Sequence, residues 1–262
     1  MNSLKRRLKQ GEGVVGTIVS EVRNPNIACM LAQAGFEFFI IDNEHGTYGV
    51  ETVSNMIAAA RGAGIEVIVR IPEIRREAIL KPLDSGAAGL LVPQVDTPEQ
   101  AKEVVRHAKY PPMGSRGVGL RRAHSLYARV NAADYLSRAN EETFIAVQAE
   151  SPAAIGNAEK IGAIDGIDCI FAGPFDLSVS LGIPGQVDHP VEVEAIETML
   201  AACRTTGKAA GILMFDLASL KTWISRGMRF VAYSSDISLL ADAAAGSVEQ
   251  LKAGFRTDFG SD

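Results

Sequence analysis

The 262-residue sequence contains few of the features that adapt a protein to secretion, membranes or nucleic acids. Its three cysteines, Cys29, Cys169 and Cys203, lie in apolar segments without metal-site spacing, so we expect reduced thiols in the core of a cytoplasmic protein. No apolar run approaches the ~20 residues of a membrane span, and the first residues lack an apolar signal region. The formal net charge of -5 provides no basic surface for nucleic acid or an anionic membrane.

What the sequence does contain is a regular alternation of β-rich apolar runs with amphipathic helical stretches. The predicted strands span Val14–Ser20, Phe36–Asp42, Val67–Ile71, Gly89–Val95, Phe144–Gln148, Cys169–Ala172, Ala210–Met214 and Phe230–Tyr233. Eight βα units without a break in composition predict a single (β/α)₈ barrel, or TIM barrel, over residues 1–262. A doubly wound sheet is the alternative, but no G-x-G-x-x-G follows the first strand.

Two segments depart from the repeating pattern. Residues 110–142 form the longest piece without the repeat, and an insertion of this length in a compact barrel is usually a functional loop or an oligomer contact. Residues 237–254 follow the last strand and are predicted to form a C-terminal helix.

Two of the predicted strands end in a carboxylate. Glu150 closes strand five, and Asp176 comes just after the Gly-Pro break that ends strand six. A buried carboxylate is costly without a partner, so two at the same end of successive strands indicate a shared divalent cation. Oxygen ligands suit Mg²⁺ or Mn²⁺, which keep positions open for water and substrate. The alternative is that both acids belong to helix N-termini, where Asp and Glu are favoured anyway.

Other polar residues also follow strand ends, where the chemistry of a barrel is located. Asp42, Glu44 and His45 follow the second strand, and Arg70 ends the third. A carboxylate beside His45 would orient its imidazole as a base, whereas a lone histidine fits a capping or packing role equally well. Arg70 interrupts an apolar run, so we expect it to pair with a strand-end acid, to bind an anionic ligand, or both.

No lysine occupies the carboxyl end of a predicted strand. All nine lysines fall in predicted helices, loops or strand starts. A Schiff-base lysine would have to lie at a strand end, so carbonyl chemistry in this barrel would need a metal as the electron sink.

Several of these residues belong to motifs that resemble those of a known family. In order, the motifs are Asp42-Asn43-Glu44-His45-Gly46, Val69-Arg70-Ile71-Pro72, Leu91-Val92-Pro93-Gln94-Val95, Pro111-Pro112-x-Gly114-x-Arg116-Gly117, Gln148-x-Glu150 and Gly173-Pro174-x-Asp176-Leu177-Ser178. Over nearly its full length the chain resembles the HpcH/HpaI aldolases, which are metal-dependent (class II) pyruvate aldolases. The resemblance implies cleavage of a 4-hydroxy-2-oxo acid to pyruvate, or a close 2-oxo acid, and an aldehyde.

The resemblance also implies a cofactor and a substrate site. Glu150 and Asp176 match the ligands of a divalent cation (Mg²⁺, Mn²⁺ or Co²⁺), and Glu44 matches a residue near its water shell. Gln148 matches a contact to the pyruvate part of the substrate. Gly173, Pro174 and Phe175 precede Asp176 at a predicted helix start, and the backbone N–H groups of this segment would receive the substrate carboxylate.

Three further residues match catalytic positions of the family. Arg70 matches the arginine beside the keto oxygen, and His45 matches the general base. Asp84 matches the acid that pairs with this histidine, and Asp42 is a second candidate for that role. The segment Gly46-Thr47-Tyr48 and the end of the first strand depart from the pattern of many members, which leaves the aldehyde partner open.

The resemblance finally implies an assembly, since family barrels are commonly hexamers built from dimers that exchange their last helix. An acyl-CoA lyase like the citrate lyase β-subunits is one alternative function. A catalytically silent barrel with a binding role is another, although such a barrel has no reason to retain buried charges.

Overall fold

The protein folds into a closed barrel of parallel strands, as the alternation in the sequence predicts. A computed structural model describes residues 4–258, and the side chains of residues 4–255. The eight strands of this part of the chain are β1 Val14–Val19, β2 Phe38–Asp42, β3 Glu66–Arg70, β4 Gly89–Val92, β5 Phe144–Ala149, β6 Cys169–Ala172, β7 Ala209–Met214 and β8 Phe230–Ser235. Each strand pairs with the next, and β8 pairs with β1. The prediction of a TIM barrel is confirmed.

Helix α1 precedes the first strand, and the other helices follow strands and cover the outside of the barrel. They are α1 Leu4–Lys9, α2 Ile27–Gln33, α3 Val50–Ala63, α4 Arg76–Ser85, α5 Pro98–Ala108, α6 Ala132–Glu142, α7 Pro152–Gly162, α8 Pro174–Ser180, α9 Pro190–Thr206, α10 Leu217–Arg226 and α11 Asp236–Asp258. The C-terminal helix therefore begins one residue earlier and extends further than the predicted 237–254. Among the helices that the structure describes, none has both the length and the apolarity needed to cross a membrane.

The interior of the barrel is apolar at the amino ends of the strands. Phe230 stacks on Phe38 with ring centroids 4.4 Å apart, and the rings of Phe144 and Phe171 meet Phe230 edge-on. Helix α1, which the sequence pattern did not reveal, adds its buried leucines to this cluster. Such close packing fills the interior of the barrel at this end. A functional site within the barrel therefore belongs at the carboxyl ends of the strands.

Two predictions about cysteines differ in outcome. Cys169 and Cys203 are buried thiols, as expected. Cys29 is exposed, because α2 turns Ala28 and Leu31 toward the core and its neighbouring positions outward. Helical periodicity, more than the apolar character of the segment, decides which of these residues is buried.

The inserted segment 110–142 is closed at its base by a polar contact. Asn140 Oδ1 accepts a hydrogen bond from the Tyr110 backbone N–H at 2.7 Å, and Asn140 Nδ2 donates to the Tyr110 carbonyl at 2.9 Å. The segment contains a short 3-10 helix, Ala123–Ser125, in addition to α6. Both ends of the insertion thus return to one point beside the barrel.

A buried lysine supports the same region and makes the stability of the protein depend on pH. Lys109 Nζ donates to the carbonyl oxygens of Asn140 at 2.8 Å and Thr143 at 2.6 Å. Burial, together with the charge of Lys5, lowers the pKa of Lys109 to about 7. An unfolded lysine titrates near ~10.4, so between about pH 7 and pH 10 the unfolded chain binds a proton that the folded chain does not.

Across that interval the free energy of unfolding should rise with pH through Lys109. Urea unfolding of the wild type and of Lys109→Met between pH 7 and pH 9.5 should show a positive slope that is larger in the wild type. Parallel curves for the two proteins would contradict the lowered pKa of this lysine.

Candidate active site

The centre of the site is a buried ion pair between two adjacent strands. In the register of β2 with β3, Asp42 lies opposite Arg70, so their side chains meet at the carboxyl end of the barrel. Arg70 Nε and Nη2 donate to the two carboxylate oxygens of Asp42 at 2.9 and 2.7 Å. Burial alone would raise the pKa of Asp42, but the hydrogen bonds and charge of Arg70 hold it below its usual value. The bidentate pair therefore fixes the guanidinium plane.

Glu44 and His45 extend this pair toward the rim. Glu44 Oε2 lies 3.2 Å from Arg70 Nη1, and the backbone N–H groups of Glu44 and His45 both donate to Asp42 Oδ1. The His45 side chain is 68% exposed, and its Nε2 lies 4.0 Å from Glu44 Oε2. The imidazole thus faces the open end of the barrel, while its backbone is held by Asp42.

Glu150 is a buried carboxylate that forms no ion pair with any side chain in residues 4–255. Its Oε2 accepts the backbone N–H of Gln94 at 3.0 Å, and its Oε1 accepts from Gln148 Nε2. Gln94 has a φ of 54°, a left-handed conformation at the end of β4. Burial raises the pKa of Glu150 to about 7, and the charges of Asp176 and Glu44 add to this shift. The Gln94 N–H and the charge of Arg70 oppose it.

Gly173 allows the chain after β6 to approach Glu150 closely. A Cβ at this position would lie 2.6 Å from Glu150 Oε1, so any other residue would displace the carboxylate. Pro174 is buried at the first position of α8, whereas Phe175 and Asp176 are exposed. Asp176 is thereby brought near Glu150, and within the described side chains it also has no ion-pair partner.

These residues fit a hard divalent cation. Glu150 and Asp176 offer carboxylate oxygens that form no ion pair within the described side chains, although the charge of Arg70 acts on Glu150. The buried Gln148 Oε1 also has no hydrogen-bond partner in the described structure. Within residues 4–255, no group of three or more His, Cys, Asp or Glu side chains is arranged to hold a metal ion. Two protein carboxylates would therefore leave the other positions to water and substrate, as Mg²⁺ commonly does.

A cavity of about 350 Å³ opens beside this cluster. The predicted residues in its lining are Arg70, Gln148, Gly173, Pro174, Phe175 and Asp176. No lysine lines the cavity among the described residues. A small 2-oxo acid fits a volume of this size.

Asp84 does not lie near His45 in the same chain. It is near the end of α4, which runs back toward the amino ends of the strands, and its Oδ1 lies 2.7 Å from Arg116 Nη2. No ion pair joins Asp84 to His45 within the described residues. The single chain thus brings Asp42, Glu44, His45 and Arg70 together but leaves Asp84 at the other end of the barrel.

Comparison with known proteins agrees with this geometry. Residues 19–243 match the family described as HpcH/HpaI aldolase/citrate lyase. The chain belongs to this family. A 2-keto-3-deoxy-L-rhamnonate aldolase of Klebsiella pneumoniae is 38% identical over 92% of this chain and 90% of its own length. A hydroxypyruvate/pyruvate aldolase of Roseovarius nubinhibens is 35% identical over 98% of both chains.

Solved structures of HpcH/HpaI aldolases share the whole fold. A crystal structure from Desulfitobacterium hafniense has a TM-score of 0.92 and 37% identity, and covers 95% of this chain and 96% of its own. Citrate lyase-like structures are more distant. The predicted family, and with it the class of aldolase, a carbon–carbon lyase, is confirmed.

The sequence patterns did not indicate some residues that line the cavity. Asp188 in the loop after α8, together with Phe215, Asp216 and Ser219 after β7, also lines the cavity. The rule that strand ends carry the site would have found Phe215 and Asp216, because they directly follow β7. Asp188 has no such signal, since it comes twelve residues after Asp176 in an irregular loop.

Proposed function

We propose that this HpcH/HpaI protein is a divalent-metal aldolase that reversibly cleaves a 4-hydroxy-2-oxo acid to pyruvate, or a close 2-oxo acid, and an aldehyde. The observation that carries the proposal is the pair of carboxylates Glu150 and Asp176, which form no ion pair in the described structure and act on each other electrostatically. Asp176 lines one cavity together with Arg70 and Gln148, and Gln148 donates to Glu150. The names of the aldolase relatives support the same reaction class.

Glu150 and Asp176 would hold the metal, which is Mg²⁺, Mn²⁺ or Co²⁺ in this proposal. When bound, the cation would act as a Lewis acid on the keto group of the substrate. The Arg70 guanidinium, fixed by Asp42 and Glu44, would orient the keto oxygen and stabilise the negative charge that develops there. Gln148 would donate to the pyruvate part, and the start of α8, from Gly173 through Phe175, would receive the carboxylate.

His45 would remove the proton from the C4 hydroxyl during cleavage. Asp42 holds the backbone of His45, so it fixes the position of the base without touching the imidazole. If Asp84 pairs with His45, that His45 must belong to another copy of the chain, because Asp84 lies at the opposite end of its own barrel.

We propose a homo-oligomer, a hexamer built as a trimer of dimers, in which α11 is exchanged. Helix α11 exposes several large apolar side chains: Ile237, Leu240, Val248, Leu251 and Phe255. An apolar helix face of this extent is stabilised by a partner surface. Analytical ultracentrifugation of the wild type at micromolar concentration would test this oligomeric state.

The test of the function is a panel of 4-hydroxy-2-oxo acids with Mg²⁺, Mn²⁺ or Co²⁺, in which pyruvate release is measured. We expect release with at least one member of the panel and none without a metal. Tight binding of coenzyme A without pyruvate release would favour an acyl-CoA lyase. The absence of both pyruvate release and coenzyme A binding would favour a silent barrel.

Arg70→Lys should be nearly as damaging as Arg70→Ala. Three nitrogens of the guanidinium bind two carboxylates in one plane, and a single ammonium group cannot reproduce that orientation. We expect kcat for pyruvate release to fall on the order of 10²–10³-fold in both variants. A near-normal kcat in Arg70→Lys would show that positive charge alone is sufficient.

A further inference from the structure

The first residue of α11, Asp236, binds the loop that follows β1. Its Oδ1 accepts hydrogen bonds from the backbone N–H and the hydroxyl of Ser20, at 3.1 and 3.3 Å. Its Oδ2 accepts from the backbone N–H groups of Glu21 at 3.1 Å and Val22 at 2.7 Å. Three consecutive backbone N–H groups thus converge on one carboxylate, which is 7% exposed.

The Asp236 carboxylate does not cap α11, although it belongs to the first residue of that helix. Ser235 Oγ accepts the backbone N–H of Ser238 at 3.2 Å and so caps the start of the helix. All four hydrogen bonds of the Asp236 carboxylate instead go to residues 20–22, across the seam between β8 and β1. The carboxylate therefore serves the β1 loop.

The β1 loop in turn supports the loop that carries His45. Tyr48, which is buried, donates from its hydroxyl to the Val22 carbonyl at 3.3 Å. A Cβ on Gly46 would lie 2.2 Å from the Asp42 carbonyl oxygen and 3.2 Å from that of Ser20, so the two loops touch through their backbones. Residues 46–48 are thus packed against residues 20–22.

His45 depends on its backbone for its position. In the described structure, no hydrogen bond holds its imidazole, and the Glu44 carboxylate is 4.0 Å away. The backbone is held before His45 by Asp42 and after it by the contact of residues 46–48 with residues 20–22. The support after His45 depends on Asp236, because Asp236 holds residues 20–22.

We infer that Asp236 is a positioning residue for the aldehyde half of the reaction. Its carboxylate holds residues 20–22, which hold residues 46–48 and so set the position of His45. This inference rests on the proposed aldolase function. It also links the site to α11, because the anchor of the β1 loop is the first residue of that helix.

The test compares two reactions of the same enzyme. Cleavage of a 4-hydroxy-2-oxo acid requires a base at the C4 hydroxyl, whereas decarboxylation of oxaloacetate has no hydroxyl proton to remove. Asp236→Ala should lose roughly 10- to 100-fold in kcat for cleavage but no more than about threefold in decarboxylation. Tyr48→Phe should lower the ratio of cleavage to decarboxylation in the same direction, but by a smaller factor.

Glu37→Ala provides a matched control at the other end of β1. Glu37 Oε2 accepts the Val15 backbone N–H at 2.8 Å, so this variant also removes a carboxylate that binds the β1 backbone, but far from His45. We expect its ratio of cleavage to decarboxylation to equal that of the wild type. If Asp236→Ala does not fold, Asp236→Asn and Tyr48→Phe decide the question by the same ratio.

Two outcomes would overturn the inference. The first is an equal loss of both reactions in the Asp236 variants, and the second is unimpaired cleavage. Either result, in a protein whose wild type performs both reactions, would contradict only the role of Asp236. A wild type that decarboxylates oxaloacetate but cleaves no 4-hydroxy-2-oxo acid would instead contradict the proposed aldolase function.

Discussion

Glu150→Ala should abolish metal-dependent pyruvate release, and Asp176→Ala should do the same. Each variant removes one of the two carboxylates that would hold the cation, while Gln94 and Gln148 lose their acceptor when Glu150 is absent. The Lewis acid contributes several kcal/mol to the transition state, so we expect kcat to fall by about 10³-fold or more. Mn²⁺ binding, followed by titration calorimetry or by electron paramagnetic resonance, should weaken in parallel.

Glu192→Gln is the matched control. Glu192 is also a buried carboxyl group, and neither of its oxygens has a hydrogen-bond partner in the described structure, but it lies in α9 and not at the predicted metal site. The Glu192→Gln protein should bind Mn²⁺ as the wild type does. Full activity after thorough removal of metal, or a lysine adduct trapped by borohydride with substrate, would refute the metal mechanism.

His45→Ala should separate two reactions that share an intermediate. Cleavage must remove the C4 hydroxyl proton, and a positioned base contributes typically ~10²–10⁴-fold. Decarboxylation of oxaloacetate also passes through the pyruvate enolate but requires no such base. We therefore expect His45→Ala to lose cleavage by about that factor and to lose far less decarboxylation, measured on the same metal-loaded preparations.

Arg70→Ala is the comparison for His45→Ala. Because Arg70 acts on the keto oxygen common to both reactions, its loss should depress cleavage and decarboxylation together. Equal losses of both reactions in His45→Ala would mean that the histidine supports the metal site or the fold. The assignment of His45 as the base would then be withdrawn.

The sequence by itself determined the fold and suggested much of the candidate site. Apolar runs such as Phe38–Asp42 and Phe144–Ala149 are buried on both faces, which is typical of parallel strands covered by helices. Once the strands are known, their carboxyl ends identify Asp42, Arg70 and Glu150 without any coordinates. The side chains that follow those strands share one end of the barrel because all the strands run in the same direction.

Only the tertiary structure decided which of these residues meet. The register of β2 with β3 pairs Asp42 with Arg70. An alternating apolar pattern can specify a register, but β2 is buried on both faces and has no such alternation. The tertiary structure also placed Asp84 away from His45, showed Cys29 to be exposed, and joined Asp236 to a loop more than two hundred residues earlier in the chain. The Asp236 contact depends on barrel closure, which brings β8 beside β1, so it follows from the geometry of the closed sheet and not from neighbouring residues in the sequence.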